Sequence, residues 1–274
     1  MAADTPADSE LEGGLHAFDR STGKELWKYP SGRGVLAQII GLRKDLFALT
    51  TTAEFVCIDK ESGKRRWSYP LKWSAWDCPA ATENRVFVGS NDGTLYALNA
   101  QSGSVVWQAN LEARISTSIQ VSDRSVHAGT ADGKMHRVDI TNGELGHSLR
   151  LDENLRPAGL PIVRGDNLLV LLVDAGNEYR QIASVDLALS KVRWRRAAPD
   201  KWTTSRIFEA GNAIIFGQKS GEITAYSCVD GEPIWSAPLL GTIRSVGGAD
   251  GILYIGTTEG NLYALRPPSA SSKL

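Results

Sequence analysis

Short runs of apolar and polar residues, separated by turn residues, fill most of this chain. The run Thr94–Leu98 is rich in β-forming residues and is too short for a typical helix. The segments Asn91–Gly93 and Asn99–Gly103 flank it, and both contain the Asn, Asp or Gly residues that favour turns. The run Ser104–Trp107 returns after the second turn, so the pattern predicts a β-hairpin.

The hairpin pattern recurs along the chain with a period of about 40 residues. Each copy has an apolar strand, a polar turn and then an aromatic residue in a fixed slot. The residues in this slot are Trp27, Trp67, Trp107, His147, Trp194 and Trp235. Two further short strands are predicted in each period, and no segment shows helical periodicity. Four short antiparallel strands per period are typical of a β-propeller blade.

The string Ala17–Trp27, A-F-D-R-S-T-G-K-E-L-W, resembles the tryptophan-docking motif of the PQQ-like repeat β-propeller family. The string Ala97–Trp107 is similar to the same motif, and the resemblance extends over about residues 13–267. It implies that the Trp residues in the slot pack between neighbouring blades. His147 and Ser190 depart from the motif, since Trp and Gly are expected at these positions. We therefore expect the fourth and fifth blades to be irregular.

We predict an all-β protein, a β-propeller of four-stranded antiparallel blades that occupies residues 13–267. Residues 1–12 are expected to be a disordered acidic tail, and residues 268–274 a flexible C-terminal tail. Six blades are favoured, with one blade closed by strands from both chain ends, because an open ring leaves unpaired strand edges. Seven or eight blades remain open alternatives.

Composition and motifs narrow the possible functions. A net charge of −1 argues against a nucleic-acid-binding surface. The longest apolar run, Leu168–Val173, is far too short to span a bilayer. Cys57, Cys78 and Cys228 form no C-x-x-C pair, and we interpret them as small buried hydrophobic residues, with one disulfide left as an alternative.

The resemblance also raises the question of catalysis, because the family includes quinoprotein dehydrogenases. Those enzymes hold PQQ beneath a disulfide between adjacent cysteines and bind Ca²⁺ through acidic and amide side chains. This sequence has no adjacent Cys pair, and its four His residues are scattered through the repeats. We expect no catalytic residue, no metal site and no cofactor.

A second periodic pattern lies in the segments that lead into each blade. Each such segment carries a cation, and the spacing of these cations follows the repeat. We call them the leading cations: Arg33, Lys72, Arg114, Arg156, Lys201, Arg206 and Arg244. Trp73, Trp76 and Trp202 lie beside them in sequence and outside the docking slot. In a propeller these residues would surround the channel mouth on one face, where they could bind an anionic or aromatic ligand or a partner peptide.

The alternative interpretation is that the leading cations form structural ion pairs. Four acidic residues are predicted on the same face, further from the channel: Asp92, Asp132, Asp174 and Glu259. An exposed ion pair contributes only about 0–1 kcal/mol, so stability alone does not explain a periodic set of cations. The segment Asp174–Arg180 is predicted to be a longer loop on this face, where binding specificity often resides.

We predict a non-catalytic scaffold that binds an unidentified protein partner through the face carrying the leading cations. The alternative is a sensor domain for a small anionic or quinone-like ligand at the channel mouth, and a PQQ-dependent dehydrogenase is the third hypothesis. No nucleic-acid partner and no transmembrane segment are expected, and a domain of a larger protein remains open. Residues 1–12 do not resemble a signal peptide, so an intracellular location is expected. The location would be peroxisomal if Ser272–Leu274 acts as a C-terminal targeting signal. The alternative is a periplasmic location, if a signal peptide was removed.

Overall fold

The computed structural model describes residues 13–31, 35, 39–72, 79–122, 124–202 and 207–267, without the side chains of residues 199, 201 and 202. These residues form 25 β-strands and no α-helix. The chain divides into two compact units, Met1–Ile115 and Ser116–Leu274. The two predicted tails lie outside the described residues, so the domain boundaries stay a prediction.

The first unit contains three sheets, in which each strand pairs antiparallel with its neighbour along the chain. Sheet 1 consists of β1 (Gly14–Phe18) and β2 (Glu25–Pro30). Sheet 2 consists of β3 (Ile40–Leu42), β4 (Asp45–Leu49), β5 (Glu54–Asp59) and β6 (Arg65–Pro70). Sheet 3 consists of β7 (Ala80–Ala81), β8 (Arg85–Gly89), β9 (Thr94–Asn99) and β10 (Val105–Asn110).

The second unit contains four sheets of the same design. Sheet 4 consists of β11 (Gln120–Ser122), β12 (Ser125–Gly129), β13 (Lys134–Asp139) and β14 (Leu145–Arg150). Sheet 5 consists of β15 (Arg156–Arg164), β16 (Asn167–Val173), β17 (Tyr179–Asp186) and β18 (Val192–Trp202). Sheet 6 consists of β19 (Phe208–Ala210), β20 (Ala213–Gly217), β21 (Glu222–Ser227) and β22 (Pro233–Pro238). Sheet 7 consists of β23 (Ile243–Ala249), β24 (Ile252–Thr257) and β25 (Leu262–Leu265).

The four-stranded antiparallel unit predicted from the sequence is confirmed in sheets 2 to 6. Sheet 1 has two strands and sheet 7 has three among the described residues, which gives seven sheets in all. Counting these two incomplete sheets as one blade would give the six blades favoured from the sequence. That closure by both chain ends stays a prediction.

Within each unit, consecutive sheets pack face to face through apolar side chains. Phe47 and Phe55 of sheet 2 lie in one cluster with Val86 and Leu98 of sheet 3. Sheet 5 packs in the same way against sheets 4 and 6. The inner strands β8 and β9 are apolar on both faces because each is covered from both sides. The outermost strands β10 and β22 alternate between exposed residues and buried or half-buried ones.

A tryptophan docks onto a glycine of the next sheet at the outer part of these interfaces. The ring of Trp67 covers Gly103, where an added Cβ would lie 2.6 Å from the ring. The indole Nε1 of Trp67 donates a hydrogen bond to the carbonyl oxygen of Ala100 at 3.0 Å. The same packing of the ring on a glycine joins Trp27 to Gly63 and Trp194 to Gly231, although no hydrogen bond is recorded for Nε1 of Trp194 among the described residues. The inter-blade packing implied for these three residues is therefore confirmed.

The turn that receives the tryptophan has the same geometry in several copies. In sheet 3 the side-chain oxygen of Asn99 accepts backbone N–H groups of Gln101 and Ser102 at 2.9 and 3.0 Å. Gly103 then takes a φ of +72°, which L side chains rarely adopt. A polar residue at the strand end and a glycine four residues later are both needed, since one closes the turn and the other admits the ring.

The fourth and fifth sheets depart from this geometry. His147 in β14 is exposed, and no indole is available to dock onto sheet 5. In sheet 5 the turn after Asp186 closes one residue earlier, with Leu189 N–H bonded to the Asp186 carbonyl and a φ of +55° at Leu189. Ser190 instead bonds the Asp186 carboxylate. The predicted irregular sector is confirmed, because the loss of the Trp and the loss of the Gly occur at facing positions of the repeat.

The extra residues in sheet 5 lengthen its central hairpin more than its loop. Strands β16 and β17 have 7 and 8 residues, whereas β12 and β13 have 5 and 6. The connecting turn, residues 174–178, is only one residue longer than the turn at residues 130–133. The expected long loop Asp174–Arg180 is therefore wrong in part, because Tyr179 and Arg180 belong to β17, where Tyr179 pairs with Val173 and Arg180 lies at a register shift.

Sheet 4 also replaces aromatic packing by polar side chains. His127 occupies the central position of β12 that Phe47 and Phe87 fill in β4 and β8, and it is fully buried. Its Nε2 lies 3.2 Å from the hydroxyl of Ser122, while its Nδ1 has no partner among the described residues. Burial, together with the positive charge of Arg137, lowers the pKa of His127 to about 4.

The docking contact predicts a difference between two glycine substitutions. Gly103→Ala and Gly23→Ala introduce similar strain, because their φ angles are +72° and +69°. Nothing lies within 4 Å of the Cβ position at Gly23, whereas the Trp67 ring occupies it at Gly103. We expect Gly103→Ala to lower the free energy of unfolding by about 1–3 kcal/mol more than Gly23→Ala does, as measured by urea unfolding. Equal losses would show that the ring moves aside without cost.

The buried His127 predicts a pH dependence of stability. Its pKa lies near 6.5 in the unfolded chain and about 4 in the folded one, so between these pH values the unfolded chain binds a proton that the folded chain does not, and stability falls as pH is lowered from 6.5 towards 4. His127→Phe should remove a loss on the order of 3 kcal/mol over this range. The reverse exchange, Phe87→His, should introduce a similar loss. Urea unfolding between these pH values tests both, and an unchanged slope in His127→Phe would contradict the assignment.

Candidate functional site

The leading segments and one set of turns meet at the same edge of each sheet. These turns join the second and third strands, and the N–H of Leu111, just after β10, donates to the carbonyl of Gly93 in such a turn at 2.9 Å. Leu151 and Leu239 make the same bond to Gly133 and Gly221. These hydrogen bonds hold the start of each connecting segment against the turn of the preceding sheet. The residues that follow in the connecting segment therefore lie at this edge.

Lys72 is exposed at the edge of sheet 3 and acts on the carboxylate of Asp92 in that sheet's own turn. Burial alone would raise the pKa of Asp92, but hydrogen bonds from Thr94 and Ser90 and the positive charge of Lys72 outweigh it and lower the pKa. The backbone N–H of Thr94 contributes one of these bonds at 3.0 Å. Asp92 is thus held ionised within the turn.

Arg156 has the same relation to the turn of sheet 5. This partly buried residue begins β15, and its guanidinium donates a hydrogen bond to the side-chain oxygen of Asn177. Asn177 takes a φ of +60° at the tip of the turn that Asp174 and Glu178 close. The charge of Lys72 therefore acts on the turn of sheet 3, and Arg156 contacts the turn of sheet 5.

The carboxylate of Asp174 organises this turn. It accepts the backbone N–H of Glu178 at 3.0 Å and the Nε of Arg180 at 2.7 Å. The Glu178 bond and then the Arg180 bond lower the pKa of Asp174. Arg180 also pairs with the carboxylate of Glu178 at 2.5 Å. The turn is a closed network that keeps Asn177 at its tip.

A cavity of about 360 Å³ lies beside this turn, between sheets 4 and 5. Asp132, Glu153, Arg156 and Asp174 contribute its charged groups. Asp132 is paired with Lys134, whose Nζ lies 3.0 Å away. Of the three carboxylates at this cavity, those of Asp132 and Asp174 are therefore already held by ion pairs.

The other two leading cations with described side chains, Arg114 and Arg244, are exposed. No ion pair is recorded for either within the described part of the chain. Leu240 is 77% exposed near Arg244, immediately after Leu239, and sequence reasoning missed it. The corresponding positions after Leu71, Leu111 and Leu151 hold Lys, Glu and Asp. A comparison of the repeats therefore shows Leu240 as an apolar residue at a position that is otherwise charged.

The remaining candidates are not brought together by the structure. Arg33, Trp73, Trp76 and Arg206 lie outside the described residues. Lys201 and Trp202 end β18, and their side chains are outside the description. The arrangement of all leading cations around one channel mouth stays a prediction.

Two of the four acidic residues that were expected to neutralise the leading cations pair with other cations instead. Asp132 pairs with Lys134 and lies 4.0 Å from Arg150, and Asp174 pairs with Arg180. Among the described residues, Asp92 is influenced by a leading cation, Lys72, in the way the alternative interpretation requires. The recorded ion pairs of Asp132 and Asp174 therefore involve cations other than the leading cations.

A larger cavity of about 620 Å³ lies between β18 and strands β21 and β22. Arg195 and Arg196 line one side of it. Arg196 already donates to the carbonyl of Gly231 and to Glu232, and Arg195 lies 3.6 Å from Asp152. Both cations are held by structural contacts, so this cavity is a weaker candidate for a charged partner.

Catalytic chemistry finds little support in the described residues. Cys57 and Cys228 are buried free thiols, as predicted, and burial together with the negative charge of Asp45 raises the pKa of Cys57 to about 12. Cys78 lies outside the described residues. The described residues contain no group of three or more His, Cys, Asp or Glu side chains arranged to hold a metal ion. Among them, no helix is long and apolar enough to cross a membrane.

Repeated four-stranded antiparallel sheets joined by tryptophan-docking turns define the class of repeat β-propellers. The chain belongs to the family described as outer membrane protein assembly factor BamB, which matches residues 11–76 and 72–272. This confirms the PQQ-like repeat resemblance noted from the sequence. A comparison with curated proteins finds no match.

Solved structures of the same architecture support the fold. BamB from Moraxella catarrhalis matches with a TM-score of 0.67 and 20% identity, over 93% of this chain and 85% of that one. The C-terminal WD40 domain of Sif2 matches with a TM-score of 0.78 and 12% identity, over 94% and 76%. The computationally designed Ika8 protein matches with a TM-score of 0.55 and 13% identity, over 93% and 91%. Identities this low establish the β-propeller fold alone.

Proposed function

We propose that this chain is a non-catalytic scaffold that binds a protein partner through the face carrying the leading cations. The observation that carries the proposal is the exposure of Arg114 and Arg244, for which no ion pair is recorded within the described residues. Charges that recur with the repeat and stay exposed contribute little to folding, and they favour recognition of a partner.

Apolar and polar features support the same face. Leu240 adds an exposed apolar side chain four residues before Arg244 in the sequence. The turn that contains Asn177 adds a polar side chain, which Arg156 holds beside the cavity of sheet 5. An apolar anchor within a rim of charged groups is typical of protein interfaces. The family description, an outer membrane protein assembly factor, agrees with a scaffold, and we propose a role of that kind for this chain.

A small-ligand sensor is the second candidate. It would need an anion-binding or quinone-binding site, but the described cavity beside Arg156 carries three carboxylates. The carboxylates disfavour an anionic ligand there, and the one cation of the lining, Arg156, already donates a hydrogen bond to Asn177. A PQQ-dependent dehydrogenase is the third candidate, and no residue among those described is assigned a catalytic role.

The partner-binding face can be tested by charge reversal. The triple variant Arg114→Glu/Arg156→Glu/Arg244→Glu should weaken capture of the partner from membrane extracts of the source cells by at least about tenfold, because it places like charges against the partner. The control is Lys24→Glu/Lys64→Glu/Lys191→Glu, which makes the same charge change in exposed turns at the opposite strand ends. Quantitative pull-down of both folded variants measures the effect. Equal recovery with parent and triple variant would reject this face.

A thermal-shift screen separates the scaffold from the sensor. A small ligand at 100 times its dissociation constant would stabilise the folded chain by about 2.7 kcal/mol. We expect no such stabilisation from simple anions, quinones or nucleotides, since binding is assigned to a protein surface. A saturable shift that Arg156→Glu abolishes would favour the sensor instead.

A further inference from the structure

Two positions of the repeat meet beside the docking slot where consecutive sheets pack. One lies on the outermost strand, two residues after the slot, and the other lies on the third strand of the next sheet. Sheets 2 and 3 place Tyr69 and Tyr96 there, with their ring centroids 5.5 Å apart. In three other interfaces the two positions share an apolar cluster, formed by Tyr29 with Val56, Leu149 with Ala183, and Ala237 with Tyr263. At least one bulky apolar side chain therefore fills this place in each of these interfaces.

Sheets 5 and 6 have Arg196 and Thr224 at the two positions. The Nε of Arg196 donates to the carbonyl oxygen of Gly231 at 2.8 Å, and the same guanidinium also donates to the carboxylate of Glu232. These bonds draw the guanidinium towards the turn, and Thr224 is too small to replace a tyrosine ring. The cavity of about 620 Å³ lies here, and both residues line it. Its volume is in the range of small-molecule sites, about 300–1,000 Å³.

Buried polar side chains line this cavity together with apolar ones. Gln218 is 2% exposed and Thr224 is 5% exposed, and the Nε2 of Gln218 donates to the Oγ1 of Thr224 at 2.9 Å. No hydrogen bond donated by the Thr224 hydroxyl is recorded within the described residues, so its proton is available to a ligand oxygen. Ser236 adds an exposed hydroxyl, while Tyr226 and Ile234 add apolar surface. The lining therefore suits an aromatic ring that carries a hydroxyl group.

Glu222 is the charged group of the lining that keeps its charge without a recorded partner. Arg196 pairs with Glu232, and Arg195 lies 3.6 Å from Asp152. No ion pair is recorded for Glu222 within the described part of the chain. A positively charged group on the ligand would therefore be attracted to this side of the cavity.

We propose that the cavity between sheets 5 and 6 binds a small phenol that carries an amine. Its ring takes the place that the two tyrosines fill between sheets 2 and 3. The hydroxyls of Thr224 and Ser236 bind the phenolic oxygen, and Glu222 attracts the ammonium group. The lining contains none of the leading cations, so this site and the proposed partner-binding face stand or fail independently.

A series of related ligands tests the chemistry of the site. We expect tyramine to bind the chain saturably in a titration followed by the NMR signals of its ring. Phenethylamine, which lacks the hydroxyl, and p-cresol, which lacks the amine, should each bind at least about threefold more weakly. The anionic 4-hydroxyphenylacetate should bind at least about tenfold more weakly than tyramine, because its charge repels that of Glu222.

A filling substitution locates the ligand on the chain. Thr224→Tyr should weaken tyramine binding at least about tenfold, because the new ring occupies the cavity. Tyrosine holds the corresponding position in sheets 3 and 7, so the fold accommodates it there. The matched control is Val229→Tyr, which adds the same ring to sheet 6 at a position that is 72% exposed and outside the lining. Urea unfolding of both variants checks that they are folded.

A charge substitution tests the role of Glu222. Glu222→Gln should remove the preference for tyramine over p-cresol and leave the affinity for p-cresol unchanged, since only the charge is lost. Its control is Glu144→Gln, which makes the same change at an exposed turn of sheet 4 and should keep the preference.

Several outcomes would overturn the proposal. These are no saturable binding of tyramine, equal binding by Thr224→Tyr and the parent chain, or an equal loss in Val229→Tyr. A preference for tyramine that survives in Glu222→Gln would reject the role of this carboxylate. Binding that occurs only in Trp202→Ala would assign the cavity to a side chain of the chain itself.

Discussion

The packing of a tryptophan ring on a glycine of the next sheet is the contact on which the repeated structure depends. The ring lies where a Cβ would be at Gly63, Gly103 and Gly231, so any other residue there must displace it. The same glycine holds a left-handed conformation that closes the hairpin turn. One residue therefore serves both the turn within a blade and the joint between blades, which explains why strand, turn and packing repeat together.

This contact and its surroundings change in sheets 4 and 5. Sheet 4 has His147 in place of the tryptophan and His127 in place of a buried phenylalanine, and sheet 5 closes its turn at Leu189. The hairpin of sheet 5 is also longer, and it places Asn177 against Arg156. A scaffold that is rigid elsewhere can tolerate such departures, since stability is distributed over many equivalent interfaces.

Much of the fold was predictable because its signals are local. Turn residues, β-forming runs and the spacing of the tryptophans are all visible in one chain, and they identified the four-stranded units and the irregular sector. The candidate site was only partly predictable. The leading cations were visible by their period, but the contact of Arg156 with Asn177 and the exposure of Leu240 depend on how the turns pack.

The sequence by itself determined where strands and turns lie, because pleat alternation and turn chemistry act over a few residues. Only the tertiary structure decided what each strand borders. The four residues Leu-Tyr-Ala-Leu show this most directly, since Leu95 is buried beneath β10 whereas Leu262 lies at an edge that is bare among the described residues. Their local preferences are the same. Burial depends on the strand that pairs with them, as β10 pairs with β9 in sheet 3, and that pairing is not a property of the four residues themselves.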